Sequence, residues 1–174
     1  MSTISKKICL FGDFGVGKTS LIRQFVECQF SDEYLSTVGV KISRKSVEFS
    51  TKDLYDGQIL QLIIWDIEGS NKFKAVAKNY FQGSKGAVIV GDVTQPETLN
   101  HLQDHIQSFL AVNPKSYIVV ALNKSDMIAG EYLEKMRQMY QFSEQNNVLD
   151  TYLTSAKTGK NVDEIFKTLA TRLI

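Results

Sequence analysis

The sequence predicts an α/β protein with a six-stranded, mostly parallel sheet and five helices on both faces. Three observations lead there. Short apolar runs alternate with helix-period patterns along the whole length, as strand-helix-strand units require. A glycine-rich turn, Gly12 to Thr19, joins the first strand to the first helix. Two strand patterns, 38–49 and 58–65, follow one another with no helix between them, so one pair must be antiparallel. A chain of 174 residues holds one domain with a full core, here 1–174.

The first strand is read over 7–11 (Ile8, Cys9, Leu10, Phe11) and the first helix over 17–28, with Leu21, Ile22, Phe25 and Val26 at helical spacing. Residues 29–37 are polar and without period, hence a loop. In 38–49 the alternation Val38, Val40, Ile42 changes parity to Val47 and Phe49, which predicts a bulge near Lys45. Ser50 to Asp56 form a long hairpin tip ahead of the returning strand. Phe73, Ala77, Tyr80 and Phe81 predict a helix over 71–81 that Gly83 stops, and 87–90 is a buried strand. Thr94 and Glu97, with Pro96 between them, form a capping box for a helix burying Leu99, Leu102, Ile106, Phe109 and Leu110. A strand over 117–122, a helix over 131–146 (Leu133, Met136, Tyr140 inward) and a strand over 148–153 follow. Asn161 and Glu164 open the last helix, which buries Val162, Ile165, Phe166, Leu169 and Ala170.

Composition narrows the function. With 43% hydrophobic and 22% charged residues the chain is of the soluble globular class, and a net charge of +1 argues against bulk attraction to nucleic acid or a membrane. An anionic ligand would have to be met locally. Cys9 and Cys28 read as reduced core thiols of a cytosolic protein. No run approaches the roughly 18 apolar residues of a spanning helix. No apolar signal segment follows Lys6 and Lys7, and neither Ser2 nor Ile174 belongs to a lipid-attachment pattern. A cytoplasmic monomer with no direct membrane anchor is expected. His101 and His105 have zinc-ligand spacing on a helix but no third ligand, and are read as solvent-facing.

Chemistry concentrates in four stretches. Gly12-Asp13-Phe14-Gly15-Val16-Gly17-Lys18-Thr19 has the spacing of a phosphate-binding loop. Its glycines let the backbone wrap until successive N–H groups face phosphate oxygens; Lys18 reaches the β- and γ-phosphates, and the Thr19 hydroxyl can ligate Mg²⁺ at a helix N-terminus. Asn123-Lys124-Ser125-Asp126 ends a buried strand. A carboxylate only accepts, so Asp126 suits the N1–H and amine of guanine and would face the N1 lone pair of adenine. Ser155-Ala156-Lys157, after the last strand, would bring a backbone N–H toward the base oxygen. In Trp65-Asp66-Ile67-Glu68-Gly69, Asp66 is placed to hold Mg²⁺ through water and the Gly69 N–H to meet the γ-phosphate. Thr37, in the polar loop, can add its hydroxyl to Mg²⁺ when the third phosphate is present.

These stretches, with Tyr34-Leu35-Ser36-Thr37-Val38-Gly39-Val40, resemble the Ras superfamily of small GTPases, the Rab branch most closely, over essentially the whole length. The resemblance implies the P-loop NTPase architecture of the small G-protein fold and a GTP/GDP molecular switch. It implies switch I around Thr37 and switch II over 69–80, both read by effector proteins, with an exchange factor and an activating protein as further partners. It also implies nucleotide contacts from Asp13, Phe14, Gly15, Val16, Gly17, Lys18, Thr19 and Ser20 of the loop and from Phe30, which stacks on guanine. Tyr34, Thr37, Gly69, Asn123, Lys124 along the base face, Asp126, Ser155, Ala156 and Lys157 complete that set. Thr19, Thr37 and Asp66 would hold Mg²⁺.

Three positions depart from the family pattern. Ser70 stands where a glutamine usually orients the attacking water, and serine is too short and has no amide for that. Phe14 replaces a glycine or small residue beside the γ-phosphate and crowds the approach of an arginine finger. Glu68 replaces a small residue and sets a carboxylate near the γ-phosphate. GTP hydrolysis is therefore expected to be weak, resting on Lys18, Thr37 and Gly69 with Ser70 in the water-orienting position. The rival reading is a GTP-loaded, hydrolysis-deficient module that recruits effectors. A P-loop kinase would need an acceptor site and a lid, and the Asn123 to Asp126 stretch argues against it.

Overall fold

The computed structural model describes residues 3–49 and 59–174. Among these the strands β1 (Thr3–Gly12), β2 (Val40–Glu48), β3 (Ile59–Ile67), β4 (Gly86–Asp92), β5 (Tyr117–Asn123) and β6 (Val148–Leu153) form one sheet in the order β2-β3-β1-β4-β5-β6. Every neighbouring pair is parallel except β2 with β3. The predicted six-stranded, mostly parallel sheet is the one observed. Five helical stretches cover it: α1 (Lys18–Glu27), α2 (Asn71–Phe81), a stretch broken at His101 into α3 (Pro96–Asn100) and α4 (Leu102–Val112), α5 (Gly130–Met139) and α6 (Val162–Thr171).

Parallel strands buried on both faces need two cores. On one face Ile8, Leu10, Leu62, Ile64, Val88 and Val90 pack under α1 and α6, where the Phe25 and Phe166 rings stack at 4.0 Å. On the other, Cys9, Phe11, Ala87, Ile89 and Val120 pack under α2 and α4, and Phe81 meets both Phe11 (4.9 Å) and Phe109 (5.5 Å) edge-on. At the end of α2, the Lys7 ammonium donates to the Tyr80 and Gln82 carbonyls and sits 3.8 Å over the indole of Trp65, whose other neighbour is the Tyr80 ring.

The structure corrects several local readings. β2 has no bulge: its register runs unbroken from Val40↔Ile67 through Lys45↔Leu62 to Glu48↔Ile59. The parity change is a change of face. Val40 packs with the α2 side, Val47 and Phe49 with the α1 side, and Ile42 is 50% exposed. Lys45 fills the intervening position by lying over the Phe25 ring and donating to the Val26 carbonyl. The expected hairpin tip at Ser50 to Asp56 lies outside the described residues. Neither capping box forms. Thr94 gives its N–H and hydroxyl to Asp92 Oδ1, so Gln95 becomes the N-cap of α3. Asn161 adopts φ 55° and donates to the Leu153 carbonyl, tying α6 to β6. Helix α5 ends at Met139, well short of residue 146. Cys9 is buried and burial pushes its thiol up to about 11, whereas Cys28 is exposed, a left-handed C-cap of α1 and not a core residue.

Candidate functional site

The sheet order reverses around β1, and the crevice this leaves at the carboxyl ends of the strands is where an open α/β sheet binds ligands. A cavity of about 350 Å³ lies there. The predicted nucleotide residues border it, apart from Asp13, Val16 and Ser155; of the metal and catalytic sets, Asp66 and Ser70 also stand back from it.

The loop after β1 makes the floor. Lys18 is 6% exposed, and its ammonium donates to the carbonyls of Gly12 (3.0 Å) and Asp13 (2.7 Å). Burial pushes its pKa down to about 8, with Asp66 and Asp13 opposing the shift, so it remains cationic at neutral pH. Gly17 needs to be glycine on two counts: φ is 99°, and a Cβ would stand 2.3 Å from Asn123 Nδ2. Gly69 is needed for close approach, since a Cβ there would fall 2.6 Å from both the Gly12 carbonyl oxygen and Lys18 Nζ. These contacts hold the end of β3 against the phosphate loop.

Three oxygens converge beside Lys18. Thr19 Oγ1 donates to Asp66 Oδ2 at 2.5 Å, and Thr37 Oγ1 lies 2.5 Å from Thr19 Oγ1 and 3.3 Å from the same carboxylate oxygen. Asp66 Oδ1 is buried with no partner, and burial raises the Asp66 pKa although Thr19, Lys18 and Thr37 oppose it. An orphaned carboxylate oxygen among hydroxyls is a hard-oxygen set of the kind Mg²⁺ takes, and these residues fit that ion.

At the far end, Asn123 acts as a tie. Its Nδ2 donates to the Val16 carbonyl at 3.0 Å, and its Oδ1 accepts from Thr154 Oγ1 and the Ala156 N–H, joining the phosphate loop to β5 and β6. Lys124 donates to the Gly15 carbonyl at 2.8 Å and pairs with the buried Asp92 at 2.7 Å. Ser155 lies beneath Asp126 and donates to its Oδ1 at 2.7 Å, fixing an exposed carboxylate at the cavity rim. Phe30 and Tyr34 form the outer wall, and the Phe14 ring meets Tyr34 edge-on at 5.8 Å across the mouth. Arg23, Asp32 and Met127 also line the cavity and were not among the predicted contacts. Arg23 lies one helical turn past Thr19, and Met127 directly follows Asp126, spacings that could have found both.

Asp13 is different: its side chain turns away from the cavity. Lys74 of α2 donates to it at 3.1 Å, while His101 Nδ1 and His105 Nε2 approach it at 2.5 and 2.8 Å. His105 is 5% exposed, which overturns its reading as solvent-facing; the missing partner for the two histidines lies in the phosphate loop. Burial alone would raise the Asp13 pKa, but the hydrogen bonds from His105, His101 and Lys74 more than offset it and hold the carboxyl well below the usual range. A carboxyl depressed by folding stabilises above its unfolded pKa of about 4, and this contribution is lost as pH falls below that. Asp13→Asn is expected to cost about 1–2 kcal/mol at pH 7 after solvent screening, a deficit that shrinks below about pH 4 in urea unfolding curves.

A glycine-rich loop after the first strand and an exposed carboxylate just past the fifth, at the mouth of one cavity on a sheet with one antiparallel edge pair, are the arrangement expected of a small GTP-binding protein. The chain belongs to the Ras family, whose model matches residues 7–174. It is similar to the Ras-related protein Rab-22A of Homo sapiens, 33% identical over 169 residues, covering 96% of this chain and 82% of that protein. Against the GTP-binding protein ypt4 of Schizosaccharomyces pombe it is 29% identical over 168 residues, covering 97% and 71%. The Ras-related protein Rab-13 of Canis lupus familiaris is 32% identical over 166 residues, covering 94% and 77%. The chain is thus a Rab-like small GTPase. No helix among the described residues is long and apolar enough to cross a membrane.

Proposed function

We propose that the chain is a single G domain that binds GTP and GDP with Mg²⁺ and hydrolyses GTP slowly. The observation that carries the slow step is the state of Ser70. Its hydroxyl donates to Glu68 Oε1 at 2.5 Å and accepts the Phe73 N–H at 3.3 Å as the N-cap of α2. Its proton and one lone pair are engaged by the fold and the residue stands back from the cavity, so Ser70 serves as the cap of the helix and has no amide to orient a water.

The other groups take the roles their placement supports. Lys18 spreads charge from the β- and γ-phosphates, the Thr37 and Gly69 backbone and side-chain donors fix the γ-phosphate, and Asp126 reads the guanine edge. Thr19, Thr37 and Asp66 would hold Mg²⁺, which supplies neutralisation of phosphate charge when bound. Phe14, 52% exposed over the mouth, occupies the path of an arginine finger. Effectors would engage switch I and switch II, with an exchange factor and an activating protein acting on the same segments in a cytoplasmic monomer.

The test is single-turnover hydrolysis on GTP-loaded protein. Ser70→Gln supplies the missing amide and is expected to raise the rate about tenfold or more. An unchanged rate removes Ser70 as the limiting position and moves the limit to Phe14 or Glu68. The second reading, a hydrolysis-deficient module that recruits effectors while GTP-loaded, is favoured by the same N-cap. It takes the lead if nucleotide released by acid from freshly purified protein is predominantly GTP.

A further inference from the structure

Glu68 lies one residue past the end of β3, opposite Gly39, which lies one residue before β2. The Glu68 N–H donates to the Gly39 carbonyl at 2.9 Å, so the backbone ladder gains one rung. The side chain adds what a ladder cannot. Oε2 accepts the Gly39 N–H at 2.6 Å while Oε1 accepts the Ser70 hydroxyl at 2.5 Å. Ser70 in turn caps α2: its Oγ accepts the Phe73 N–H, and its carbonyl accepts the N–H groups of Phe73 (3.0 Å) and Lys74 (3.1 Å). The sequence suggested a carboxylate facing the γ-phosphate. Glu68 does border the cavity beside Gly69, and there both of its oxygens accept from protein donors that belong to the two switch segments.

We propose that Glu68 and Ser70 form a clasp that joins switch I to the first turn of the switch II helix without help from the γ-phosphate. The surface these segments offer to effectors then keeps one arrangement with either nucleotide. In the family's design, the third phosphate orders the switches through contacts it alone can make. A ligand shifts a conformational equilibrium only by its differential affinity for the two states, so ordering supplied by the protein itself reduces what the third phosphate adds. The donor set is complete: one backbone N–H from switch I and one hydroxyl from switch II on one ionised side chain, with short charge-assisted bonds. Leu35 (62% exposed) and Val38 (87%) lie just ahead of the clasp and Val76 (42%) on α2 beyond it. The partner that fits is an effector protein contacting these apolar side chains and discriminating weakly between GTP and GDP forms. The inference rests on the GTP-switch reading above.

Amide hydrogen exchange on the full chain, loaded with GDP or with a non-hydrolysable GTP analogue, tests it. In the wild type, exchange over 35–41 and 69–76 is expected to differ between the two forms by less than about threefold. In Glu68→Ala the GDP form should exchange about tenfold faster or more, with the analogue form little changed. Glu68→Gln keeps the side-chain length and one carbonyl acceptor, so it should fall between and serve if the alanine variant folds poorly. A wild type whose two forms already differ tenfold overturns the clasp, as does a Glu68→Ala ratio equal to the wild-type ratio. If neither nucleotide binds, the functional reading fails by itself. The clasp is then decided on nucleotide-free protein, where faster exchange at Gly39 in Glu68→Ala supports it and equal exchange overturns it.

Discussion

Replacing Lys18 with methionine is expected to weaken GTP binding by about a thousandfold. The ammonium is buried at the floor of the cavity, still cationic at pH 7, and held by two loop carbonyls, where the proposed function puts the phosphates. At an effective dielectric near 20, a charge pair 4 Å apart is worth about 4 kcal/mol, which corresponds to about three decades in affinity. Methionine keeps most of the stem and none of the charge. GTP should lose more than GDP if, as proposed, the lysine reaches the γ-phosphate as well as the β-phosphate. The carbonyls of Gly12 and Asp13 would also lose their shared donor, a stability cost of about 1–3 kcal/mol. Titration with fluorescent GTP and GDP measures the first effect and denaturant unfolding the second. A loss in affinity below tenfold would mean that the phosphates bind elsewhere.

The second large effect concerns the base. Asp126→Ala is expected to lower GTP affinity about a hundredfold and to remove most of the preference for GTP over ATP. Ser155 donates to Oδ1 of Asp126 and so orients the carboxylate while leaving its second oxygen open at the rim. A charged acceptor gains from the two adjacent donors of guanine and is repelled by the adenine lone pair, so one substitution removes both the attraction and the exclusion. Competition of GTP and ATP against a fluorescent guanine nucleotide reports the ratio. An unchanged ratio would show that another group reads the base.

What the sequence revealed and what it hid divide along one physical line. Apolar periodicity reports which face of an element is buried, so the strand over 117–122 and the helix over 71–81 were legible within a residue. The phosphate loop and the Asn123 to Asp126 stretch were legible because their chemistry is local, carried by residues close together in the chain. Asp13 was read as a loop residue facing nucleotide and His101 and His105 as solvated, because their meeting spans 88 and 92 residues of chain and leaves no local trace. Thr94 and Asn161 make no side-chain cap for a more local reason. Thr94 turns to the carboxylate two residues before it and Asn161 to the Leu153 carbonyl eight residues before it, in preference to the helix that follows. The parity change in β2 misled because a strand between two cores can serve both, and a lysine stem can bridge the change. Ser70 and Glu68 were noticed as departures at once. That they bind each other became visible only with the turn between them in place.

The Lys7 ammonium over the Trp65 indole also gives this molecule an optical property. The chain has one tryptophan, so its indole emission has one source. That source lies between a cation anchored to the last carbonyls of α2 and the Tyr80 ring on the same helix. Indole emission responds to nearby charge and to aromatic contact, and both neighbours are tied to the end of α2, Tyr80 as part of the helix and Lys7 of β1 through its hydrogen bonds to the helix end. The protein thus carries an intrinsic fluorophore at the joint between the sheet and α2, and whether the end of that helix stays docked can be read on unlabelled material.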